Sequence, residues 1–253
     1  MRLIVAKDYT HLSRIAADKV ENQVLLKPDS RIGTVTGASP AGMYLELVRR
    51  CQEEGLDFSE VSTVNTDEYA GLSGDHPQSY RYYLDHHFLE PCRIRRERTE
   101  VPRGDAKDLE EECRRYETFY RKNPVDLQIL GIGHSGHIGF NEPEHYFPEE
   151  THMVSLAPET IAANAEYFDD PEQMPAKALT VGIGTLMQAK SILLLVSGKS
   201  KAEIVYRFLC GNITPEVPAT VLRLHQNVTA VLDEDALSVV RQRAPERLRQ
   251  LLG

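Results

Sequence analysis

Cysteine is scarce in this sequence, and its spacing matches no known motif. Among the 253 residues the cysteines are Cys51, Cys92, Cys113 and Cys210, and no two of them are close along the chain. Structural zinc sites use closely spaced ligand pairs, and small disulfide scaffolds are far richer in cysteine. The sequence therefore contains neither a zinc-ligand pattern nor a disulfide framework, and it predicts reduced thiols.

Long hydrophobic runs are also absent. No segment approaches the roughly 18 apolar residues of a membrane helix. The opening residues, MRLIVAKDY, are too short an apolar stretch for a signal peptide, and charge interrupts them too soon. We therefore expect a cytoplasmic protein with no membrane span.

Basic side chains are in the minority. The chain has 38 acidic and 29 basic residues, which gives a formal net charge of −9. This charge disfavours general binding to nucleic acid or to anionic membranes, because both are polyanions. We expect neither as a partner, although a local anion site is compatible with the same composition.

The hydrophobic pattern alternates between strand-like runs and helical segments. The strand-like runs occupy residues 3–6, 32–35, 61–64, 125–130, 178–181, 191–196 and 228–232. This alternation predicts an α/β fold, a doubly wound, mostly parallel, Rossmann-like sheet with helices on both faces. No linker or repeat divides the chain, so we expect residues 1–253 to form one domain. Such sheets bind ligands at the carboxyl ends of their strands.

A candidate anion site follows the second strand-like run. It consists of Thr36, Gly37, Ala38 and Ser39, directly ahead of a helical segment. Free backbone N–H groups at a helix start, together with hydroxyl groups, can hold a phosphate. The segment matches neither the Walker P-loop nor the G-x-G-x-x-G fingerprint. An ordinary capped helix, with Ser39 as N-cap and Pro40 at the first helical position, explains the same residues.

Two acidic residues, Asp67 and Glu68, closely follow the third strand-like run. At the carboxyl edge of a sheet, one carboxylate could face a ligand and act as a base on carbon or oxygen. A solvated loop is the alternative, and the pair alone does not decide between the two.

A glycine-rich turn after the run at 125–130 carries His137, and Glu142 follows five residues later. A carboxylate that orients an imidazole makes a proton relay near neutral pH. Gly136 and its neighbouring glycines allow the backbone to turn tightly and to approach a substrate.

Other interpretations of the histidines and of Ser135 are weaker. Candidate metal ligands are His134 with His137, or His76, His86 and His87. Neither set has the cysteine or carboxylate pattern typical of zinc sites. The run G-H-S-G-H is superficially like the G-x-S-x-G turn of serine hydrolases, but the acid and the histidine expected downstream occur in the wrong order. We therefore predict neither a metal site nor a serine nucleophile.

Four segments carry a family resemblance. They are N-T-D-E-Y-A-G-L at 65–72, H-P-Q-S-Y at 76–80, G-I-G-H-S-G-H-I-G-F-N-E-P at 131–143 and A-L-T-V-G-I-G-T at 178–185. Together they resemble the glucosamine-6-phosphate deaminase family, and the resemblance extends from about residue 1 to residue 232. The run G-H-I-G-F-N-E-P also separates this branch from the 6-phosphogluconolactonases, which share the fold.

The resemblance implies conversion of glucosamine 6-phosphate to fructose 6-phosphate and ammonia, without a metal or pyridoxal cofactor. Asp67 matches the base that moves a proton between C2 and C1. His137 matches the group that opens the pyranose ring, with Glu142 and Ser135 in its relay. The expected substrate and phosphate contacts are Thr36, Gly37, Ala38, Ser39, Glu68, Gly136, Glu166 and Lys201.

Two positions depart from the family pattern. Ser135 stands where members carry Asp or Asn, so a neutral hydroxyl replaces one group of the relay. Glu166 stands where the A-N-A-R-F-F segment of the family supplies a phosphate-binding arginine. A unit charge roughly 4 Å away is worth about 4 kcal/mol at an effective dielectric near 20, so an inward-pointing Glu166 would weaken phosphate binding strongly. Three explanations stay open: Glu166 points away, Lys177 or another cation replaces the arginine, or the substrate differs.

These departures leave alternatives to the deaminase function. One is a divergent member that acts on another amino sugar or sugar phosphate, and another is a catalytically impaired sugar-phosphate sensor. A 6-phosphogluconolactonase-like hydrolase is a more distant third. In each case the expected partner is a small sugar phosphate, and association into a homo-oligomer is left open because family members differ.

Overall fold

The computed structural model describes residues 1–158, 160, 161, 168 and 174–252. The strands in this part of the chain are β1 (Arg2–Ala6), β2 (Arg31–Thr34), β3 (Ser62–Asn65), β4 (Asp67–Tyr69), β5 (Thr99–Glu100), β6 (Leu127–Gly131), β7 (His152–Ser155), β8 (Lys177–Thr180), β9 (Ile192–Val196) and β10 (Val228–Asp233).

The described α-helices are α1 (Tyr9–Leu26), α2 (Ala38–Arg49), α3 (Tyr80–Leu84), α4 (Leu109–Lys122), α5 (Ile183–Leu186), α6 (Ala202–Cys210), α7 (Ser238–Arg243) and α8 (Pro245–Leu252). Two π-helical turns follow α2 and α3, at Arg50–Glu54 and Asp85–Leu89, and a 3₁₀ turn at Lys199–Lys201 leads into α6. No helix of the described residues has the length and apolar character needed to cross a membrane.

The main sheet has seven strands in the order β1-β10-β9-β6-β2-β3-β5, and every pairing in it is parallel. The predicted α/β fold with a mostly parallel sheet is therefore confirmed. All residues of β2 and β9 are buried, as expected for strands whose sheet is covered on both faces. Helices that follow the strands bury their apolar stripes in the same core, for example Leu12, Ala16 and Val20 of α1.

A second, three-stranded antiparallel sheet, β4-β8-β7, lies outside the expectation from sequence. The chain leaves the main sheet at Thr66, whose N–H donates to the Thr34 carbonyl, and enters the small sheet with the next residue. Asp67 of β4 is paired with Thr180 of β8. The run at 178–181 is thus a strand, as predicted, but it belongs to this small sheet, where it fixes the backbone that carries Asp67.

Helix α2 begins differently from the capped helix considered above. Its N-cap is Gly37, at φ +104, and no side chain of the described residues caps the helix. The alternative with Ser39 as N-cap is therefore wrong, because Ser39 lies inside the first turn. Glycine suits the positive φ, which L-residues rarely adopt. With no capping side chain, the first backbone N–H groups of α2 remain available to an anion.

Candidate active site

Four loops that leave adjacent parallel strands meet at one edge of the main sheet. Strands β9, β6, β2 and β3 are neighbours in that order, so their carboxyl ends line the same edge. The described residues expected to form the site follow these four ends. They are Thr36, Gly37, Ala38, Ser39, Asp67, Glu68, Ser135, Gly136, His137, Glu142 and Lys201. Glu166 lies outside the described residues.

Ser135, His137 and Glu142 form a closed triangle of hydrogen-bonding groups. Ser135 Oγ donates to Glu142 Oε2 at 2.8 Å and lies 2.8 Å from His137 Nδ1. His137 Nδ1 itself is 3.1 Å from Glu142 Oε2. Since the serine proton is used on the carboxylate, we assign a proton to Nδ1, which donates toward these two oxygens. Nε2 is then the ring nitrogen available to a substrate.

The glycines of this turn make room for the imidazole. A Cβ on Gly133 would lie 1.9 Å from His137 Nε2, and one on Gly136 would lie 2.7 Å from a methyl group of Val217. Gly136 also has φ +92. A side chain at Gly133 would collide with the imidazole, and one at Gly136 would collide with Val217 and strain the turn, which gives a physical reason for the glycine-rich sequence.

Glu142 remains ionised in this arrangement. Burial acts to raise its pKa, but hydrogen bonds from His137, Thr160 and Ser135 and the charge of a protonated His137 lower the pKa of Glu142 to about 2. Its second oxygen, Oε1, accepts a hydrogen bond from Thr160 Oγ1 at 2.7 Å. A fixed carboxylate of this kind stabilises the imidazolium whenever His137 takes up a proton.

Asp67 is buried at the start of β4, and Oδ1 has no hydrogen-bond partner among the described residues. Burial, and then the charge of Glu68, raises the pKa of Asp67 to about 8. Its backbone is held by Asn65, whose Nδ2 donates to the Asp67 carbonyl at 2.7 Å. The result is a carboxylate more basic than an exposed one and with an oxygen free to take a proton.

The loop that carries His137 also approaches Asp67 closely. Gly139 has φ +58, and a Cβ there would lie 2.9 Å from Thr180 Oγ1 and 3.4 Å from Asp67 Oδ2. The absence of a side chain at this position lets the relay loop and the buried carboxylate share one site.

Glu68 faces a different set of groups from its neighbour. Its Oε1 accepts the backbone N–H groups of Tyr69 and Tyr80, and its Oε2 accepts that of Arg81, at 2.8–2.9 Å. Burial outweighs these hydrogen bonds and raises the pKa of Glu68 to about 7. The geometry therefore gives Glu68 a positioning role, in which it fastens the start of α3 to β4. Its predicted contact with substrate stays a prediction.

The proposed phosphate end of the site is formed by the loop before α2 and by Lys201. Asp233 accepts hydrogen bonds from the Ser197 hydroxyl and the Gly198 N–H, which fixes the loop leading to Lys201. Burial lowers the pKa of Lys201 to about 8. No carboxylate pairs with this lysine within the described residues, so its charge is available to an anionic ligand.

Sequence reasoning missed two positioning residues. Thr160 holds Glu142 from 18 positions further along the chain, and no local motif signals this contact. Asn65 lies within a segment already singled out, but its role in holding the Asp67 backbone depends on the chain crossing between two sheets. Among the described residues, no group of three or more His, Cys, Asp or Glu side chains could hold a metal ion.

A parallel α/β sheet that brings a buried carboxylate of raised pKa, an imidazole–carboxylate pair and a helix start to one edge defines a class of protein, the α/β enzymes with a site at the carboxyl ends of their strands. The model of the family described as glucosamine-6-phosphate isomerases/6-phosphogluconolactonase matches residues 10–231. The chain belongs to this family.

Individual relatives agree with the family match. The chain is 47% identical over 241 residues to a glucosamine-6-phosphate deaminase of Thermoanaerobacter sp. (strain X514), with 95% of each chain covered. A solved monomeric glucosamine-6-phosphate deaminase is 46% identical, with a TM-score of 0.92 over 94% of this chain and 100% of that one. A 6-phosphogluconolactonase from Thermotoga maritima is 16% identical, with a TM-score of 0.73 over 92% of this chain and 99% of that one. This last likeness is one of fold alone.

Proposed function

We propose that this protein is an amino-sugar phosphate isomerase-deaminase that converts glucosamine 6-phosphate and water to fructose 6-phosphate and ammonia. The observation that carries the proposal is the meeting of Asp67 with the His137–Glu142 relay at one sheet edge. Identities of 42–47% to proteins named glucosamine-6-phosphate deaminase support it. The proposal treats residues 1–253 as one catalytic domain.

Ring opening is the step assigned to His137. Nε2 accepts the proton of the anomeric hydroxyl and returns a proton to the ring oxygen, which yields the open-chain aldehyde. Glu142, held ionised by its hydrogen bonds, stabilises the transient imidazolium. In this scheme Ser135 is an uncharged hydrogen-bonding group, and Glu142 supplies the negative charge of the relay.

Isomerisation is the step assigned to Asp67. The ionised carboxylate removes the proton from C2 while the aldehyde oxygen takes up a proton, giving an enolamine. The carboxylic acid then delivers its proton to C1 while the nitrogen at C2 gives up a proton. The resulting imine at C2 is hydrolysed by water to the ketone of fructose 6-phosphate, and ammonia leaves. Burial favours this chemistry because it makes the carboxylate a stronger base than it is in water.

Ammonia release from purified protein tests the function directly. We expect release from glucosamine 6-phosphate and little from unphosphorylated glucosamine, with galactosamine 6-phosphate as a probe of the C4 position. Each substrate is run beside Glu166→Arg, which restores the family's cation. The matched control is Glu90→Arg, the same charge change at an exposed position outside the four loops.

Three other outcomes of these assays would contradict the proposed deaminase function, and each would favour a different alternative. Binding of glucosamine 6-phosphate without ammonia release would indicate a sensor. No release by the wild type, with activity gained in Glu166→Arg alone, would indicate a different natural substrate. Hydrolysis of 6-phosphogluconolactone in place of deamination would favour the lactonase alternative.

Replacement of Ser135 tests its place in the relay. We expect Ser135→Ala to lower kcat about tenfold, because His137 Nδ1 and Glu142 Oε2 each lose their hydrogen bond with the hydroxyl. Ser135→Asn, which restores a donor and an acceptor, should stay within about threefold of wild type. Steady-state kinetics check both, with the exposed Ser155→Ala as control and melting curves to exclude a loss of folding. An unchanged kcat in Ser135→Ala would remove Ser135 from the relay.

The oligomeric state and the cellular location are two further parts of the proposal. The related deaminase described as monomeric favours a monomer here, and homo-oligomer formation stays a prediction. A cytoplasmic site of action accords with a substrate that is a phosphorylated metabolite.

A further inference from the structure

Two of the four cysteines, 41 positions apart in sequence, are adjacent in space. Cys51 Sγ and Cys92 Sγ lie 3.2 Å apart, within hydrogen-bonding distance of each other. Neither is bonded to another sulfur, and all four cysteines are free. A disulfide bond has an S–S distance of about 2.05 Å, so a shift of roughly 1 Å would bring these sulfurs to bonding distance.

The packing around the pair keeps the two sulfurs together. Cys51 lies in the π-helical turn that extends α2, and Cys92 follows the second π-helical turn, where its N–H donates to the Phe88 carbonyl at 3.0 Å. The two turns are joined through aromatic contact: Tyr44 of α2 and Phe88 have ring centroids 4.8 Å apart, and both side chains are about 99% buried. The closeness of the thiols is therefore a property of the core.

The two thiols differ in reactivity. Cys51 is half-buried, and its hydrogen bond with Cys92 lowers the pKa of the Cys51 thiol, against the opposing effects of burial and of nearby Asp57 and Glu21. Cys92 is only 4% exposed, and the interaction with Cys51, followed by burial, raises its pKa. Thiolates are the nucleophiles in disulfide exchange, so Cys51 reacts first.

We propose that Cys51 and Cys92 form a reversible intramolecular disulfide by exchange with small-molecule disulfides such as oxidised glutathione. The Cys51 thiolate attacks one sulfur of the reagent, a mixed disulfide forms, and one thiol leaves with the proton lost from Cys51. The Cys92 thiolate then attacks Cys51 Sγ, and the second thiol leaves with the proton from Cys92. The protein loses two electrons and the reagent gains them. Once Cys51 is in the mixed disulfide it carries no charge, so the main cause of the raised pKa at Cys92 is gone.

Peptide mapping after controlled oxidation tests the proposal. Native protein is equilibrated with mixtures of reduced and oxidised glutathione, free thiols are blocked, and the digest is analysed by mass spectrometry. We expect a linked pair of peptides containing Cys51 and Cys92, reversed by dithiothreitol. The cross-link closes a loop of 41 positions, so we also expect Tm to rise by roughly 5–10 °C on oxidation.

Variants separate this pair from the other thiols. Cys113→Ser with Cys210→Ser should keep both the linked peptide and the Tm shift, whereas Cys51→Ser or Cys92→Ser should lose both. The proposal is wrong if both thiols of the wild type stay open to alkylation in excess oxidised glutathione. It is equally wrong if Cys51 stops at the glutathione adduct. The two results that would contradict the proposal are measured on the wild-type protein. They therefore depend neither on how a variant folds nor on the enzymatic activity.

Discussion

Asp67→Asn is expected to lower kcat by 10³-fold to 10⁴-fold, at the upper end of what a general base contributes, on the order of 10²–10⁴. The amide keeps the size of the side chain but cannot take the proton from C2. Asn65 holds the backbone carbonyl of residue 67, so the main chain should stay in place. Initial rates of ammonia release at saturating glucosamine 6-phosphate measure the effect.

The same substitution is expected to stabilise the protein, and more so at alkaline pH. Burial raises the pKa of Asp67 from 3.8 to about 8, so the folded state binds this proton more tightly than the unfolded state does. The wild type therefore loses stability as pH rises from about 4 to about 8, and the loss remains above that range. At about 1.4 kcal/mol per pKa unit, the gain in the free energy of unfolding should be about 6 kcal/mol at pH 9, where the whole shift counts, and about 2 kcal/mol at pH 5.

Urea unfolding at the two pH values separates this effect from a general change in packing. Asp29→Asn serves as the control, because Asp29 is 73% exposed and should show no comparable gain. A gain of equal size at pH 5 and pH 9 would mean that Asp67 is not a buried acid with a raised pKa. Full activity in Asp67→Asn would remove it as the base.

The loops of the site could be placed from the sequence because parallel strands all end at one edge. Once the runs before Thr36, Asp67 and His137 are interpreted as parallel strands, the polar groups after them must meet. The pairing of β9 with β6 and of β3 with β2 realises that expectation. Gly133, Gly136 and Gly139, on either side of His137, pointed to the same place, since each marks a close approach of the backbone to another group.

The features of the fold and site that could not be predicted from the sequence depend on contacts between residues that are distant along the chain. Strand β4 has three residues and pairs with β8 more than a hundred positions later, so no local pattern distinguishes it from a loop. The adjacent acids Asp67 and Glu68 have similar sequence contexts. In a strand, however, their side chains point to opposite faces and therefore meet different groups. Asp67 keeps an oxygen with no hydrogen-bond partner in the described part of the chain, and Glu68 accepts three backbone N–H groups. The proximity of Cys51 to Cys92 was hidden in the same way.

Lys201→Met is expected to raise KM for glucosamine 6-phosphate by 10²-fold to 10³-fold. An ion pair at roughly 4 Å is worth about 4 kcal/mol at an effective dielectric near 20, and each 1.4 kcal/mol is about a tenfold change. Lys201 is half-buried with no carboxylate partner in the described part of the chain, so its charge is not neutralised locally. Lys199→Met removes an exposed charge two positions earlier and should change KM less than threefold. An unchanged KM in Lys201→Met would place the phosphate elsewhere.

The pH dependence of kcat/KM links this lysine to the base. Asp67 must be ionised and Lys201 protonated, and burial places both pKa values at about 8 in the free protein. The rate should therefore rise with pH as Asp67 loses its proton and fall as Lys201 loses its own, which gives a maximum near pH 8. Lys201→Arg should abolish the falling limb, because arginine stays protonated throughout this range. It should leave the rising limb, which belongs to Asp67, in place. A falling limb that survives in Lys201→Arg with an unchanged midpoint would show that another group controls it.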